Sequence, residues 1–336
     1  EFTSVCFDTP FSTTPRVFSL PTTVDSNDRL ALRIHNVTPT GFDIAQVESP
    51  ESADTTAPDG NVSQTVDFLA ILEGDYDLDG GEKMRVGSVA TKAFTGSNQV
   101  YSDRSVEVIV TTDMGFSQTP AIIAFIQTMN NEINPFPSSV PFLATSVKSV
   151  TKDQFDIALE RAETADTGAL SENETMAYIA ITPGAGQLTP DISYQSFLTN
   201  DDIVGTQRCQ TVDLNTFASN PLVIASQNTR SGGDGGWLRR CEISNTSVGF
   251  SIVEDKDLSE EGRHTSEIAG GIALGGTFQD FSNSCAMDTY YNIEHDGIGL
   301  TCDAEAVTIT ACTDASCSET DTTINRSVDL LVNGVG

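Results

Sequence analysis

Asp75, Asp77 and Asp79 alternate along the chain and are followed by Gly80. Carboxylates at that spacing can place their oxygens around one calcium ion, as at the start of a calcium-binding loop. The position that should bring a bidentate glutamate holds Val86, so the same residues also read as an acidic hairpin turn. Glu254, Asp255 and Asp257 make a second acidic patch with the same two readings. Trp237 follows the run Gly232-Gly233-Asp234-Gly235-Gly236 and precedes Arg239 and Arg240. An indole face can stack on a sugar ring while guanidinium groups hydrogen-bond its hydroxyls, which makes these three a candidate ligand site; a lone tryptophan beside a loop also serves as packing. The chain has 7 cysteines, 3 histidines and no Cys-x-x-Cys spacing, a poor basis for zinc and a better one for disulfides in an oxidising compartment. Cys209 and Cys241 are the expected pair, Cys285, Cys302, Cys312 and Cys317 allow three connectivities, and Cys6 is left as a free thiol or a link to another chain. His35, His264 and His295 have no serine or cysteine partner at motif spacing. No nucleophile, base and orienting group can be assembled, so the expectation is not an enzyme, with calcium as the one cofactor candidate.

The elements that must position these residues repeat. Phe11-Ser12-Thr13-Thr14-Pro15-Arg16-Val17, Phe116-Ser117-Gln118-Thr119-Pro120-Ala121-Ile122 and Phe217-Ala218-Ser219-Asn220-Pro221-Leu222-Val223 share one pattern. Each leads into a second block, Gly41-Phe42-Asp43-Ile44, Gln154-Phe155-Asp156-Ile157 or Gly249-Phe250-Ser251-Ile252, and then a third, Phe68 to Ile71, Tyr178 to Ile181 or Gly271 to Leu274. Three signals in one order, at a period of about one hundred residues, predict tandem domains, because solenoid repeats are shorter. The expected boundaries are 1–84, 85–187 and 188–280, with a remainder over 281–336. Runs such as Val106 to Val110 and Ala121 to Ile126 are short, rich in β-branched residues and bounded by turn formers, so the fold class is all-β, one antiparallel β-sandwich per repeat. The polar stretches Glu51 to Asn61, Ala162 to Asn173 and Asp255 to Glu267 read as loops between strands.

Lys and Arg number 17 against 48 Asp and Glu, a formal charge of -31. That excess opposes binding to a phosphate backbone, so nucleic acid is not an expected partner. No run of about twenty apolar residues is present to span a membrane as a helix.

The repeat blocks, with Asn36-Val37-Thr38-Pro39-Thr40-Gly41-Phe42 between them, resemble the H-type lectin domain, a six-stranded antiparallel sandwich. Val66 to Gly74, Ile126 to Glu132, Ile293 to Cys302 and Ala311 to Cys317 resemble segments of the MshQ group of pilus-biogenesis proteins, large secreted proteins of bacteria with tandem lectin-like domains. The resemblance covers nearly the whole chain and implies an extracellular or bacterial cell-surface adhesion protein that binds a surface glycan. It also implies binding of N-acetylgalactosamine-type sugars at junctions between subunits, and it likens the Cys-rich remainder to the start of an immunoglobulin-like domain. One departure is plain: a tryptophan commonly opens the third block in H-type lectins, where Phe68, Tyr178 and Gly271 stand here.

The second and third repeats are preceded by segments, Arg85 to Ser102 and Asp191 to Arg208, that should supply a leading strand, and the first is not. The strand-like stretch Ile324 to Val335 lies at the other end. An unfilled sheet edge and a loose strand can satisfy each other between molecules, so the alternative expectation is a structural subunit of an extracellular filament, with Cys6 as a lock.

Overall fold

The computed structural model describes residues 2–22, 30–49, 65–95, 105–132, 141–161, 170–205, 208–232, 235–254, 264–278, 290–294 and 308–312. The chain divides into two compact units, Glu1–Phe281 and Ser282–Gly336. In the second unit the described structure is one antiparallel hairpin late in the strand order. The predicted loop Glu51 to Asn61 and the strand-like Ile324 to Val335 lie outside the described residues.

Among the described residues of the first unit, the regular elements are β-strands apart from one 3-10 turn. Its first repeat contains β1 (Thr3–Cys6), β2 (Arg16–Ser19), β3 (Leu30–Thr38), β4 (Gly41–Glu48) and β5 (Phe68–Ile71). The second, counted from the hairpin that starts ahead of the expected boundary at 85, contains β6 (Gly74–Asp77), β7 (Lys83–Thr91), β8 (Phe94–Thr95), β9 (Glu107–Val110), β10 (Ala121–Ile126), β11 (Leu143–Lys148), β12 (Gln154–Arg161) and β13 (Glu174–Ile181). The third, counted likewise from the hairpin that starts ahead of the expected boundary at 188, contains β14 (Gly184–Thr189), β15 (Ile192–Leu198), β16 (Gln210–Asp213), β17 (Leu222–Gln227), β18 (Gly236–Ile243), β19 (Ser247–Glu254) and β20 (Ala269–Gly275). The hairpin of the second unit is β21 (Tyr290–Glu294) with β22 (Thr308–Cys312).

Each repeat faces one sheet against another. The pairs are β2-β5 with β1-β4-β3, then β10-β13-β7-β6 with β11-β12-β8, where β9 also joins β12, and finally β17-β20-β15-β14 with β16-β19-β18. The Phe-to-Pro blocks lead into β2, β10 and β17, and the Gly/Gln-Phe blocks open β4, β12 and β19.

Both faces of the inner sheets are buried, which explains why these strands read as continuous apolar runs instead of an alternation. In β10, Ile122 and Ala124 face the sandwich core of the second repeat, while Ala121 and Ile123 face the other way. In β13, Met176, Tyr178 and Ala180 take the first face and Ala177, Ile179 and Ile181 the second. That second face enters a core common to all three repeats, in which Phe18, Ile123 and Ile224, each the third residue after its repeat's proline, meet Tyr194, Ile272 and Leu274. A smaller common core gathers Ala31 and Val47 from the first repeat, Phe142 from the second, and Trp237 and Val253 from the third. Each fully buried aliphatic side chain contributes about 1.5–3 kcal/mol, so repeats that share such cores stabilise one another.

Candidate functional site

β2, β10 and β17 lie at the edges of their sheets and contact one another pairwise. An edge strand has backbone groups with no ladder partner. Here a neighbouring repeat supplies one. Gln127 donates through Nε2 to the Val17 carbonyl (2.7 Å) and accepts the Val17 N–H at Oε1 (2.8 Å). Asn228 does the same to Ile122, at 2.5 Å and 2.8 Å. Val17 and Ile122 hold equivalent places in their repeats, as do Gln127 and Asn228, so one clasp is used twice. Ser226 adds to the second, donating to the Ile122 carbonyl (2.9 Å) and accepting the Ala124 N–H (3.1 Å).

Arginine bridges every junction. Between the first and second repeats, Arg33 makes a two-point pair with Glu132 at 2.5 Å and 2.8 Å, both side chains buried, with its guanidinium 4.7 Å from the Phe142 ring centre. Glu132 also accepts the Leu143 N–H. Between the second and third, Arg230 pairs with Glu160 at 2.7 Å and 3.0 Å, and Thr95 donates to the same carboxylate. A side chain at Gly235 would meet Glu160 at 2.2 Å, so the glycine makes the room.

The junction of the third repeat with the first is built differently, because the residue equivalent to Gln127 and Asn228 is Thr22, which has no amide to clasp with. Arg239 instead donates to the Thr22 carbonyl, the Arg240 N–H donates to the Pro21 carbonyl (2.9 Å), and the Arg240 guanidinium pairs with Asp67 (2.7 Å). Trp237 donates from Nε1 to the Leu30 carbonyl (2.8 Å) and packs on Phe142. The predicted ligand trio is therefore brought together, but at 8 % and 2 % exposure Trp237 and Arg239 hold the protein's own backbone rather than face solvent.

A cavity of about 60 Å³ lies among the three repeats, lined by Ser19, Ala124 and Ala225, which occupy one equivalent position, and by Arg33, Gln227 and Trp237. That volume suits one or two waters; small-molecule sites run to several hundred Å³.

The other candidates separate. Asp75 and Asp77 lie on the strand β6, and Asp75 is held by Arg85 (2.7 Å), which also takes Asp113. The bonds from Arg85 put both carboxyls below their ordinary range. Among the described residues no three His, Cys, Asp or Glu gather as a metal set, and the segment of Asp75, Asp77 and Asp79 is a strand followed by a turn. His264 is buried between Glu254 and Glu267, its Nδ1–H donating to the Thr265 carbonyl (2.8 Å). Asp255 and Asp257 lie outside the described residues.

Cys209 and Cys241 form the expected disulfide. Cys6 is itself disulfide-bonded, which corrects its reading as a free thiol or intermolecular link. Cys285, Cys302 and Cys317, and the side chain of Cys312, lie outside what is described.

The sequence reading missed Gln127, Asn228, Arg33, Glu132, Glu160 and Arg230. The two amides carried a signal, the same offset from Pro120 and Pro221; the ion pairs carried none, since their partners come from different repeats.

An H-type lectin domain is found at residues 3–55, the span of β1 to β4. A domain of unknown function, DUF8613, matches residues 289–334. No curated protein and no solved structure matches the chain. The H-type lectin domain is a β-sandwich, in agreement with the all-β architecture, and it points to carbohydrate binding or adhesion. No helix among the described residues is long and apolar enough to cross a membrane.

Proposed function

We propose that this chain is a non-enzymatic adhesion module of a secreted or surface-displayed bacterial protein of the MshQ type, in which lectin-like repeats over 1–84, 85–187 and 188–280 and a C-terminal module over 281–336 present glycan-binding surfaces. The observation that carries the reading is the H-type lectin domain at residues 3–55. The junctions are compatible with it: the resemblance places binding at junctions between subunits, and the repeats of this chain meet at junctions of their own. With a charge of -31, the chain's field disfavours sialylated and sulfated sugars at low salt, so neutral glycans are the ligands to test first. The test is a glycan array probed with the full chain at physiological salt. Saturable binding to neutral N-acetylhexosamine-terminated glycans, competed by the free sugar, is expected. A folded protein that binds none of them ends the reading.

A second reading, a filament subunit joined by strand addition, is favoured by one observation: among the described residues β5 has β2 on one side and no strand on the other. Its donor, Ile324 to Gly336, lies outside the described residues. Negative-stain microscopy of the concentrated chain tests it: fibres that vanish on deletion of residues 324–336 are expected, and single particles at all concentrations sink it.

A further inference from the structure

The short segments that follow β10 and β17 carry both the clasp and the ion pair that reach the preceding repeat. In the second repeat the segment runs Gln127-Thr128-Met129-Asn130-Asn131-Glu132, with the Val17 clasp at one end and the partner of Arg33 at the other. In the third it runs Asn228-Thr229-Arg230-Ser231, with the Ile122 clasp close to the partner of Glu160.

One buried carboxylate holds each segment. Glu174 and Glu267 are both 0 % exposed and stand the same distance ahead of Ala180 and Ala273. Glu174 accepts the Thr128 hydroxyl (2.5 Å), the Asn130 and Asn131 N–H groups (3.0 Å and 2.8 Å) and the Asn131 side-chain amide (2.8 Å). Glu267 accepts the Thr229 hydroxyl and the Ser231 N–H (2.6 Å). The residue after each glutamate completes the tie. The Thr175 and Ile268 N–H groups donate to the same two hydroxyls (2.8 Å each), and their carbonyls accept the Gln127 and Asn228 N–H groups (2.8 Å and 2.7 Å).

A carboxylate taken out of water is costly unless donors surround it, and hydrogen bonds to an ionised acceptor are among the stronger ones. In both repeats these donors come from the interlocking segment, so satisfying the carboxylate fixes where that segment lies. The clasp amide and the ion-pair partner are then set within a few residues of it.

We propose that Glu174 and Glu267 are positioning residues for the junctions, buried straps that couple closure of a repeat's own sandwich to its docking on the repeat before it. Their described contacts lie within their own repeats, so their effect on the Arg33 and Glu160 pairs passes through the segment. The device is independent of any ligand that the repeats bind.

A double-mutant cycle in the full chain tests this, read by urea unfolding and by the NMR signals of the arginine Nε–H groups. Glu174→Gln lowers the urea midpoint of the native chain. In a chain that already carries Arg33→Met with Glu132→Leu the drop is at most about half as large, because the pair that Glu174 positions is gone. Glu267→Gln is the control: its segment carries Arg230, so its drop is the same with and without the Arg33 and Glu132 changes. The Arg33 Nε–H signal should shift or exchange faster in Glu174→Gln while that of Arg230 stays in place, and the reverse should hold in Glu267→Gln. Thr128→Val and Thr229→Val remove only the hydroxyl donor and should give the same pattern at smaller amplitude, which keeps the test open if a glutamine variant fails to fold. Equal drops in both backgrounds, or an Arg33 signal that Glu174→Gln leaves unmoved, reduce Glu174 to a local loop cap and overturn the proposal.

Discussion

Arg33 and Glu132 carry the sharpest consequence at the residue scale. Both are buried, and each is the other's only opposite charge in the contacts described. Removing one partner leaves a desolvated charge behind, so Arg33→Ala or Glu132→Ala should each cost about 3–5 kcal/mol in chemical denaturation. The double change Arg33→Met with Glu132→Leu should restore most of that loss, because an apolar pair of similar volume needs no compensation. The clasps are milder: Gln127→Ala or Asn228→Ala strands a backbone N–H and carbonyl on an inner edge and should cost about 1–3 kcal/mol. Tyr194 gives a pH signature. Burial first, then its hydrogen bond to Glu82 and that residue's charge, raises the phenol above its ordinary value of about 10. A raised folded value means the contribution is full below about pH 10 and drains away as the pH climbs past it. Stability curves from pH 8 to 11 should fall for the native chain and fall less for Tyr194→Phe.

At the scale of elements, Gly249 shows how one strand position serves a crosslink. Cys209 precedes β16, Cys241 sits at the bulge of β18 between Arg240 and Glu242, and β19 runs between those strands. The disulfide crosses β19 over Gly249, where a Cβ would come 2.2 Å from the Cys209 sulfur. Gly249→Ala should therefore cost about 1–3 kcal/mol by overpacking in the oxidised chain, and less once the disulfide is reduced. Reduction alone should cost about 3–4 kcal/mol, given the sequence separation of 32 between the two cysteines. The strands themselves were readable because their determinants are local: prolines before β2, β10 and β17, and the Phe-containing blocks that open β4, β12 and β19. The uninterrupted apolar run Ala121 to Ile126 fits a strand with no wet face, a signal that the sequence reading did not use. What that second face meets was not readable, since Phe18, Ile123 and Ile224 come from points far apart in the chain and nothing near each one names the others. The same limit explains Trp237. Its glycine-rich surroundings signal a loop, while its partners Leu30 and Phe142 are set by contacts between repeats.

For the whole of residues 1–281, the shared cores decide how the repeats unfold. A repeat that folded alone would keep its own sandwich core but expose Phe18, or Ile123 with Ile179 and Ile181, or Ile224 with Ile272 and Leu274. At about 1.5–3 kcal/mol for each buried side chain, that exposure is comparable with the entire stability of a small domain. The repeats should therefore melt together. Scanning calorimetry of the full chain should show residues 1–281 unfolding in one transition, and a chain ending before β14 should lose the first two repeats as well as the third. Charge acts on the same scale. At -31 the fold repels itself, so its melting temperature should rise between 10 mM and 150 mM salt as the repulsion is screened. Acid works the other way on particular groups. Burial raises the pKa of Glu73, but hydrogen bonds from Ser88 and Arg16 and the charge of Arg16 outweigh it, and Asp75 and Asp113 are lowered by Arg85. A lowered folded value gives stability that is present above the ordinary carboxylate range and is lost as the pH falls through it. Stability should thus decline below about pH 4 even though protonation relieves the overall repulsion. Arg16→Gln and Arg85→Gln should flatten that decline, and if they leave the acid limb unchanged, the Arg16 and Arg85 carboxylate pairs are not what holds the fold at low pH.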